Sequence, residues 1–170
     1  MSRPARLVLD RLPSPLGELL VVTDETGLLR AVDFHDYEHR LDRLLKVHYG
    51  PLRPEPGAVP AETRAALAAY FAGQTDALSA LAWTTNGTDF QTAAWTALGS
   101  IPAGTTITYS ELARRIGRPA AVRAAGHANG ANPLSLVAPC HRVIGMNGAL
   151  TGYGGGIDRK RWLLTHEGAL

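Results

Sequence analysis

The stretch TYSELARRIGRPAAVRAAGHANG, residues 108–130, decides how the second half of the chain folds. Thr108 stands three residues before Glu111, the spacing of a capping box at a helix start. SELARRIG follows, and Gly117 closes that short helix. After Arg118-Pro119, AAVRAAGHANG reads as a second helix of unusually small residues. Two short helices around a Gly-x-Pro turn read as a helix-turn-helix, whose second helix is the one that meets DNA. Its composition is odd for that task. Helices that read bases offer Arg, Asn or Gln to the base edges. This one offers Ala120, Ala121, Ala124, Ala125 and Gly126, with one long arm, Arg123. Small residues suit a narrow groove and a sequence-blind contact. They equally suit tight packing of one helix on another.

Upstream, Thr88 to Gln91 has the same capping-box spacing and opens the helix TDFQTAAWTALGS, with Phe90, Ala94, Trp95 and Leu98 as its inner stripe. IPAGTTIT is a turn and a short extended piece. The first third of the chain reads as sheet: ARLVLDRL, ELLVVT and LLRAVDF are apolar runs of strand length, separated by the turn signals PSPLG and DETG. A small antiparallel meander is expected there. YEHRLDRLLKVHYG and AETRAALAAYFAG read as helices closed by glycine, joined by the Pro/Gly-rich connector GPLRPEPGAVP. Residues 74–87 read as a weakly structured link.

Downstream, LSLVAP reads as a buried extended run and Asn147-Gly148 as a tight turn. TGYGGG reads as a flexible or close-approach segment. IDRKRWLLTHEG is a terminal helix with Trp162, Leu163 and His166 on one side. The fold class that results is α+β. A small antiparallel-sheet α/β domain with its linker covers residues 1–85, and a mostly helical domain containing the helix-turn-helix covers 86–170.

The totals agree with a packed protein. Hydrophobic residues make up 45% and charged ones 19% of 170 residues, which leaves ample material for a core. No apolar run approaches the roughly 20 residues of a membrane span, and the first residues lack the apolar core of a signal peptide. One cysteine forms no internal disulfide and no thiolate-rich zinc site, so a cytoplasmic setting is expected. Charge is uneven. Residues 1–85 carry 9 Lys/Arg and 11 Asp/Glu, net −2, while residues 86–170 carry 8 and 4, net +4. The basic excess hints at an anionic partner for the second half.

That half holds the lone cysteine, Cys140, between Pro139 and His141. A nucleophilic thiolate needs a group that takes its proton, and that group needs orienting. His141 can be the base. In a regular strand, however, Cys140 and His141 would point to opposite faces, so either the chain bends there or a water bridges the pair. A carboxylate must hold the far imidazole nitrogen. Of the four acids in the second half (Asp89, Glu111, Asp158, Glu167), Glu167 is the best candidate. It sits at a helix C-terminus, where an acid opposes the helix dipole and must gain something elsewhere. An inert buried cysteine is the plain alternative.

Here the chain resembles a family. PCHRV at 139–143 is similar to the active-site motif of the O6-alkylguanine-DNA alkyltransferases of bacterial type. FQxxxW at 90–95, IPxGxTxxY at 101–109, AxRAxGxAxGxNP at 121–133 and TGYGGG…RKxWLLxHEG at 151–168 resemble the same family in order and spacing. PSPLGELLVV and AYFAG in the first half resemble bacterial members less specifically.

The resemblance implies direct-reversal repair. Such proteins bind double-stranded DNA through the minor groove, rotate the alkylated nucleotide out of the stack and move the alkyl group to cysteine. The thioether is stable, so each molecule acts once, as a suicide enzyme. On this sequence Cys140 would be the acceptor, His141 the base acting through water, and Glu167 its orienting acid. Tyr109 would hydrogen-bond the guanine and supply a proton as it leaves, and Asn132 would be the hinge asparagine. Arg123 would fill the gap left by the flipped nucleotide, with Ala124 and Gly126 facing the groove and Ser110 and Arg118 on the backbone. Val143, Tyr153, Gly154 and Gly155 would line the pocket. Gly154 stands where many relatives carry serine, which points to a roomier pocket accepting longer alkyl groups and O4-alkylthymine. No cofactor and no metal are expected. Some relatives hold zinc in the first domain, but only the weak His35/His39 pair is available here. A monomer is expected, with cooperative binding on DNA left open. Two competing readings are a lesion binder without the nucleophile, which the presence of Cys140 opposes, and a cysteine hydrolase, which gives the small-residue helix no role.

Overall fold

The three apolar segments at the start of the chain pair in order. The computed structural model describes residues 3–170 and places strand β1 at Leu7–Leu12, β2 at Leu19–Asp24 and β3 at Leu29–Phe34. β1 and β2 run antiparallel from Leu7↔Asp24 to Leu12↔Leu19, and β2 and β3 from Leu19↔Phe34 to Thr23↔Leu29. The DETG turn closes on Asp24, whose Oδ1 accepts from the N–H groups of Thr26 and Leu28, while Gly27 adopts φ +84°. Helix α1, Glu38–Tyr49, ends at Gly50 with φ +61°, whose N–H donates to the Lys46 carbonyl. Its Leu41, Leu45 and Tyr49 form one buried cluster with Leu7, Leu20, Val22 and Ala31 of the sheet. The proline-rich connector differs from its reading as a plain link. Pro54–Pro56 forms strand β4, parallel to β1 and at the edge of a sheet ordered β3-β2-β1-β4. Proline lacks a ladder donor and is accommodated at such an edge. Helix α2 follows at Ala61–Phe71.

The chain divides into two compact units, Met1–Asn86 and Gly87–Leu170. The second opens on helix α3, Asp89–Leu98, with a complete capping box: the Gln91 N–H donates to Thr88 Oγ1 and the Thr88 N–H to Gln91 Oε1. Strand β5 is Ile107–Thr108, and helices α4, Tyr109–Arg115, and α5, Val122–Gly130, follow. At α4 only half the box forms. Thr108 Oγ1 accepts from the Glu111 N–H (3.2 Å), but the Glu111 carboxylate pairs with Arg114 and Arg115, both in reach one turn on. Gly117 takes φ +83° between the two helices, and the Ala121 N–H donates to the Arg118 carbonyl, which starts α5. Trp95 is fully buried and its Nε1–H donates to the Ala128 carbonyl, which pins α5 to α3. A Cβ at Gly87 would lie 2.5 Å from the Trp95 ring, so only glycine fits there.

Two expectations are corrected. LSLVAP is buried but not extended. It folds as successive turns, with Leu136 at φ +74° and the Ala138 N–H donating to the Leu134 carbonyl. Strand β6, Val143–Ile144, begins only after it and pairs parallel to β5. The terminal helix α6, Ile157–His166, buries Lys160, Leu163 and Leu164, and Glu167 just past its end is buried too. The inward stripe therefore has the spacing i, i+3, i+4, i+7 and two charged members. Trp162 and His166 stack on each other, half-exposed, with ring centroids 4.8 Å apart. The class is α+β, as the sequence indicates, with a four-stranded sheet in the first unit and a mostly helical second unit. No helix among the described residues is long and apolar enough to cross a membrane.

Candidate active site

Cys140 lies in a one-turn 3-10 helix, Cys140–Arg142, entered through Pro139. Its N–H donates to the Ala138 carbonyl at 2.7 Å, and the Arg142 N–H donates to that of Pro139 at 3.0 Å. The chain bends here, so the opposite-face rule for a strand does not apply to Cys140 and His141. Asn132 holds the approach to this turn. Its Oδ1 accepts from the Leu134 N–H (3.0 Å), and its Nδ2 donates to the Ala138 carbonyl at 2.8 Å. One buried amide thus satisfies backbone groups that would otherwise need a strand partner. Cys140 itself is 6% exposed.

His141 is wholly buried. Its Nε2 lies 2.8 Å from Oε2 of Glu167. Burial disfavours its charged form and lowers its pKa below the ordinary 6.5, although Glu167 pulls the other way. Glu167 is held by a second partner. Arg142 Nε donates to Oε1 at 2.8 Å and Nη2 to Oε2 at 2.9 Å, while Nη1 donates to the Ile101 carbonyl at 2.7 Å. Burial alone would raise the Glu167 carboxyl, but the hydrogen bonds from His141 and Arg142 outweigh it and bring it down to about 2. A carboxylate this acidic only accepts, so the imidazole proton sits on Nε2. Nδ1 is then the basic nitrogen, and it is buried with no protein partner. The arrangement presents a neutral, oriented base on the residue next to the thiol in sequence, with a fixed negative charge on its far nitrogen's side.

Around this core stand a buried Val143 and a buried Tyr153, whose ring meets that of His141 edge-on at 6.3 Å. Gly155 is buried and Gly154 half-exposed on the same segment. Tyr109 opens α4. Its hydroxyl donates to the Thr151 carbonyl at 3.3 Å, and a Cβ at Gly126 would touch its ring at 3.5 Å, so it bridges α5 and the segment that carries Thr151. Ser110, Arg118, Arg123 and Ala124 are exposed on the helix-turn-helix, and Gly126 is half-exposed there. The Arg118 guanidinium lies 6.0 Å from the ring centre of Phe90, which is half-buried where Ala94, Trp95 and Leu98 of its stripe are fully buried.

Three site residues went unread in the sequence. Arg142 lies inside PCHRV, and its role comes from Glu167, which is 25 residues away in sequence and accepts two of its hydrogen bonds. Asn129 is buried on α5, donates from Nδ2 to the Cys140 carbonyl at 3.4 Å and leaves Oδ1 without a partner. Lys160 is fully buried, with Nζ donating to the carbonyls of Val143 (2.6 Å) and Thr151 (2.7 Å). The helical spacing of Lys160, Leu163, Leu164 and Glu167 was the available signal.

The model of the 6-O-methylguanine DNA methyltransferase DNA-binding domain matches residues 89–169, and that of the ribonuclease-like domain of the same family matches 8–82. The methylated-DNA–protein-cysteine methyltransferase of Salmonella typhimurium is 48% identical over 167 residues, covering 97% of this chain and 98% of its own. That of Methanosarcina acetivorans is 41% identical over 156 residues, with 92% and 95% covered. The crystal structure of Mycobacterium tuberculosis OGT in complex with DNA superposes with a TM-score of 0.78 at 40% identity, covering 95% of this chain and 92% of that one. With both family models matched along almost its whole length, the chain belongs to the 6-O-methylguanine DNA methyltransferase family.

Proposed function

We propose that this protein repairs alkylated double-stranded DNA by direct, stoichiometric reversal, with Cys140 as the irreversible acceptor. The observation that carries the reading is the buried relay at Cys140. A neutral imidazole is fixed by Glu167 through Nε2 and keeps a basic Nδ1 on the residue next to the only thiol. His141 takes the thiol proton through a water molecule. The sulfur attacks the alkyl carbon, the C–O6 bond breaks, and its electron pair leaves with guanine, which takes a proton from Tyr109. The products are unmodified guanine and a thioether. A thioether does not hydrolyse, so the acceptor is spent.

DNA binding rests on the exposed face of the helix-turn-helix. Ala124 and Gly126 allow close approach to the minor groove, Ser110 and Arg118 meet the backbone, and Arg123 enters the stack where the damaged nucleotide has rotated out. A DNA complex of a relative at 40% identity and the net charge of +4 over residues 86–170 support this. Asn132 links the helix-turn-helix to the nucleophile turn through its hold on Ala138. Val143, Tyr153, Gly154 and Gly155 form the base pocket. Without a side chain at Gly154, that pocket takes alkyl groups longer than methyl and O4-alkylthymine. The protein works as a cytoplasmic monomer and needs no cofactor.

The test is a titration. Increasing protein is added to a fixed amount of duplex containing O6-methylguanine, and restored guanine is counted after completion. One guanine restored per protein molecule supports the reading. Restoration beyond one equivalent rejects the spent-acceptor mechanism.

A further inference from the structure

Asn129 stands on α5 with its side chain inside the protein. It is 3% exposed, and its Nδ2 donates to the Cys140 carbonyl at 3.4 Å. That carbonyl belongs to the peptide group that joins Cys140 to His141. The Asn129 amide therefore rests on the link between the nucleophile and its base. Its neighbour Ala128 is held from the other side, through the Trp95 indole at 2.9 Å. The contact also fixes which way the amide faces, because a reversed amide would set its oxygen against the Cys140 oxygen. Oδ1 is left as an acceptor, buried and without a donor among the described residues.

A second such acceptor is carried by the residue just past that peptide. His141 faces Glu167 through Nε2, so Nδ1 is a lone-pair nitrogen, also buried and without a donor among the described residues. Two acceptors do not satisfy each other, and buried acceptors are normally satisfied. The side-chain donors near the turn are directed elsewhere. Asn132 Nδ2 donates to the Leu134 and Ala138 carbonyls, Arg142 to Glu167 and the Ile101 carbonyl, and Lys160 to the Val143 and Thr151 carbonyls. What both acceptors require is a small molecule with two donors, and water is one. A water that donates to both keeps its lone pairs for the thiol.

We propose that Asn129 is a positioning residue of the alkyl-transfer site: its Oδ1, together with His141 Nδ1, seats the water that carries the Cys140 proton. The inference rests on Cys140 as nucleophile and His141 as base, and adds the residue that holds the water between them. The S–H bond breaks with its electron pair left on sulfur. The water oxygen takes that proton as one of its own passes to Nδ1, and its other O–H stays on Oδ1. A thiolate, a water and an imidazolium result.

The experiment follows His141 itself. The full chain, labelled with 15N-histidine, is studied by NMR at about pH 8, where this imidazole is neutral. Nδ1 is assigned through the ring whose Nε2 proton is bonded to Glu167. In the native protein Nδ1 is expected at the position of a lone-pair nitrogen that accepts a hydrogen bond. In Asn129→Leu, which keeps the bulk without polar atoms, it is expected to move toward the position of a non-bonded one, with the Nε2 proton unchanged. Single-turnover methyl transfer is expected to slow by about tenfold or more. A residue that only supported the turn would slow transfer and leave Nδ1 where it was, so an unmoved Nδ1 overturns the inference. A non-bonded Nδ1 in the native protein overturns it without any variant. The native protein is also given methylated duplex. No methyl transfer there overturns the nucleophile reading and this inference with it, whereas normal transfer beside an unmoved or non-bonded Nδ1 overturns this inference alone.

Discussion

Nε2 of His141 lies 2.8 Å from Oε2 of Glu167, and both side chains are fully removed from solvent. The same carboxylate takes two hydrogen bonds from Arg142. Glu167 therefore has two separable tasks: it neutralises a buried guanidinium, and it fixes which imidazole nitrogen is basic.

Glu167→Gln keeps the shape and removes the charge. Arg142 is then left buried and uncompensated, which costs about 3–5 kcal/mol. Methyl transfer slows by about 10²-fold or more, because His141 loses both its tautomer and the charge that supports its cationic form. Denaturant unfolding and single-turnover kinetics read the two effects. Adding Arg142→Met restores stability without restoring the rate. Recovery of both would reduce Glu167 to a structural role.

The pH dependence follows from the direction of each shift. The pKa of His141 lies below 6.5, so its basic form persists into mild acid. The acid limb of the transfer rate then falls below pH 6.5, and a limb centred at or above 6.5 contradicts the assignment. Glu167 is lowered from 4.5 to about 2. In that window the unfolded chain binds the proton and the folded one does not. Its contribution to stability is present above about pH 4.5 and is lost as pH falls toward about 2. Thermal melts across that range in native protein and Glu167→Gln check this, since the variant lacks that step.

Arg123→Ala removes the one long arm on the exposed face of α5. Transfer from methylated duplex falls by roughly tenfold or more, because extrusion of the nucleotide is no longer compensated. Transfer from the same base in a single strand changes little. Equal losses on both substrates would assign Arg123 to backbone contact alone.

Gly154→Ser adds a side chain to the proposed pocket wall. Transfer of butyl from O6-butylguanine slows relative to transfer of methyl, and competition between the two duplexes reads the ratio directly. A faster butyl reaction in the variant contradicts the roomier-pocket reading.

Local signals in the sequence carried much of this molecule. The capping spacing at Thr88 placed α3, Gly117 and Arg118-Pro119 divided α4 from α5, and Glu167 stood out because an acid at a helix end is otherwise unfavourable. What escaped reading depends on partners distant in sequence. LSLVAP looks like a strand because its residues are apolar, yet Asn132 supplies the hydrogen bonds a neighbouring strand would provide. Lys160 looks like a surface residue beside Arg159 and Arg161, and only the carbonyls of Val143 and Thr151 explain its burial. β4 was hidden because proline argues against strand everywhere except at an edge.

The most direct test of the account is the intact mass of the protein after incubation with duplex containing O6-methylguanine, followed by peptide mapping. The predicted result is one added methyl group per molecule, carried on Cys140, with Cys140→Ser binding the duplex but gaining nothing. Restored guanine without a mass change, or a methyl group on any other residue, would contradict it.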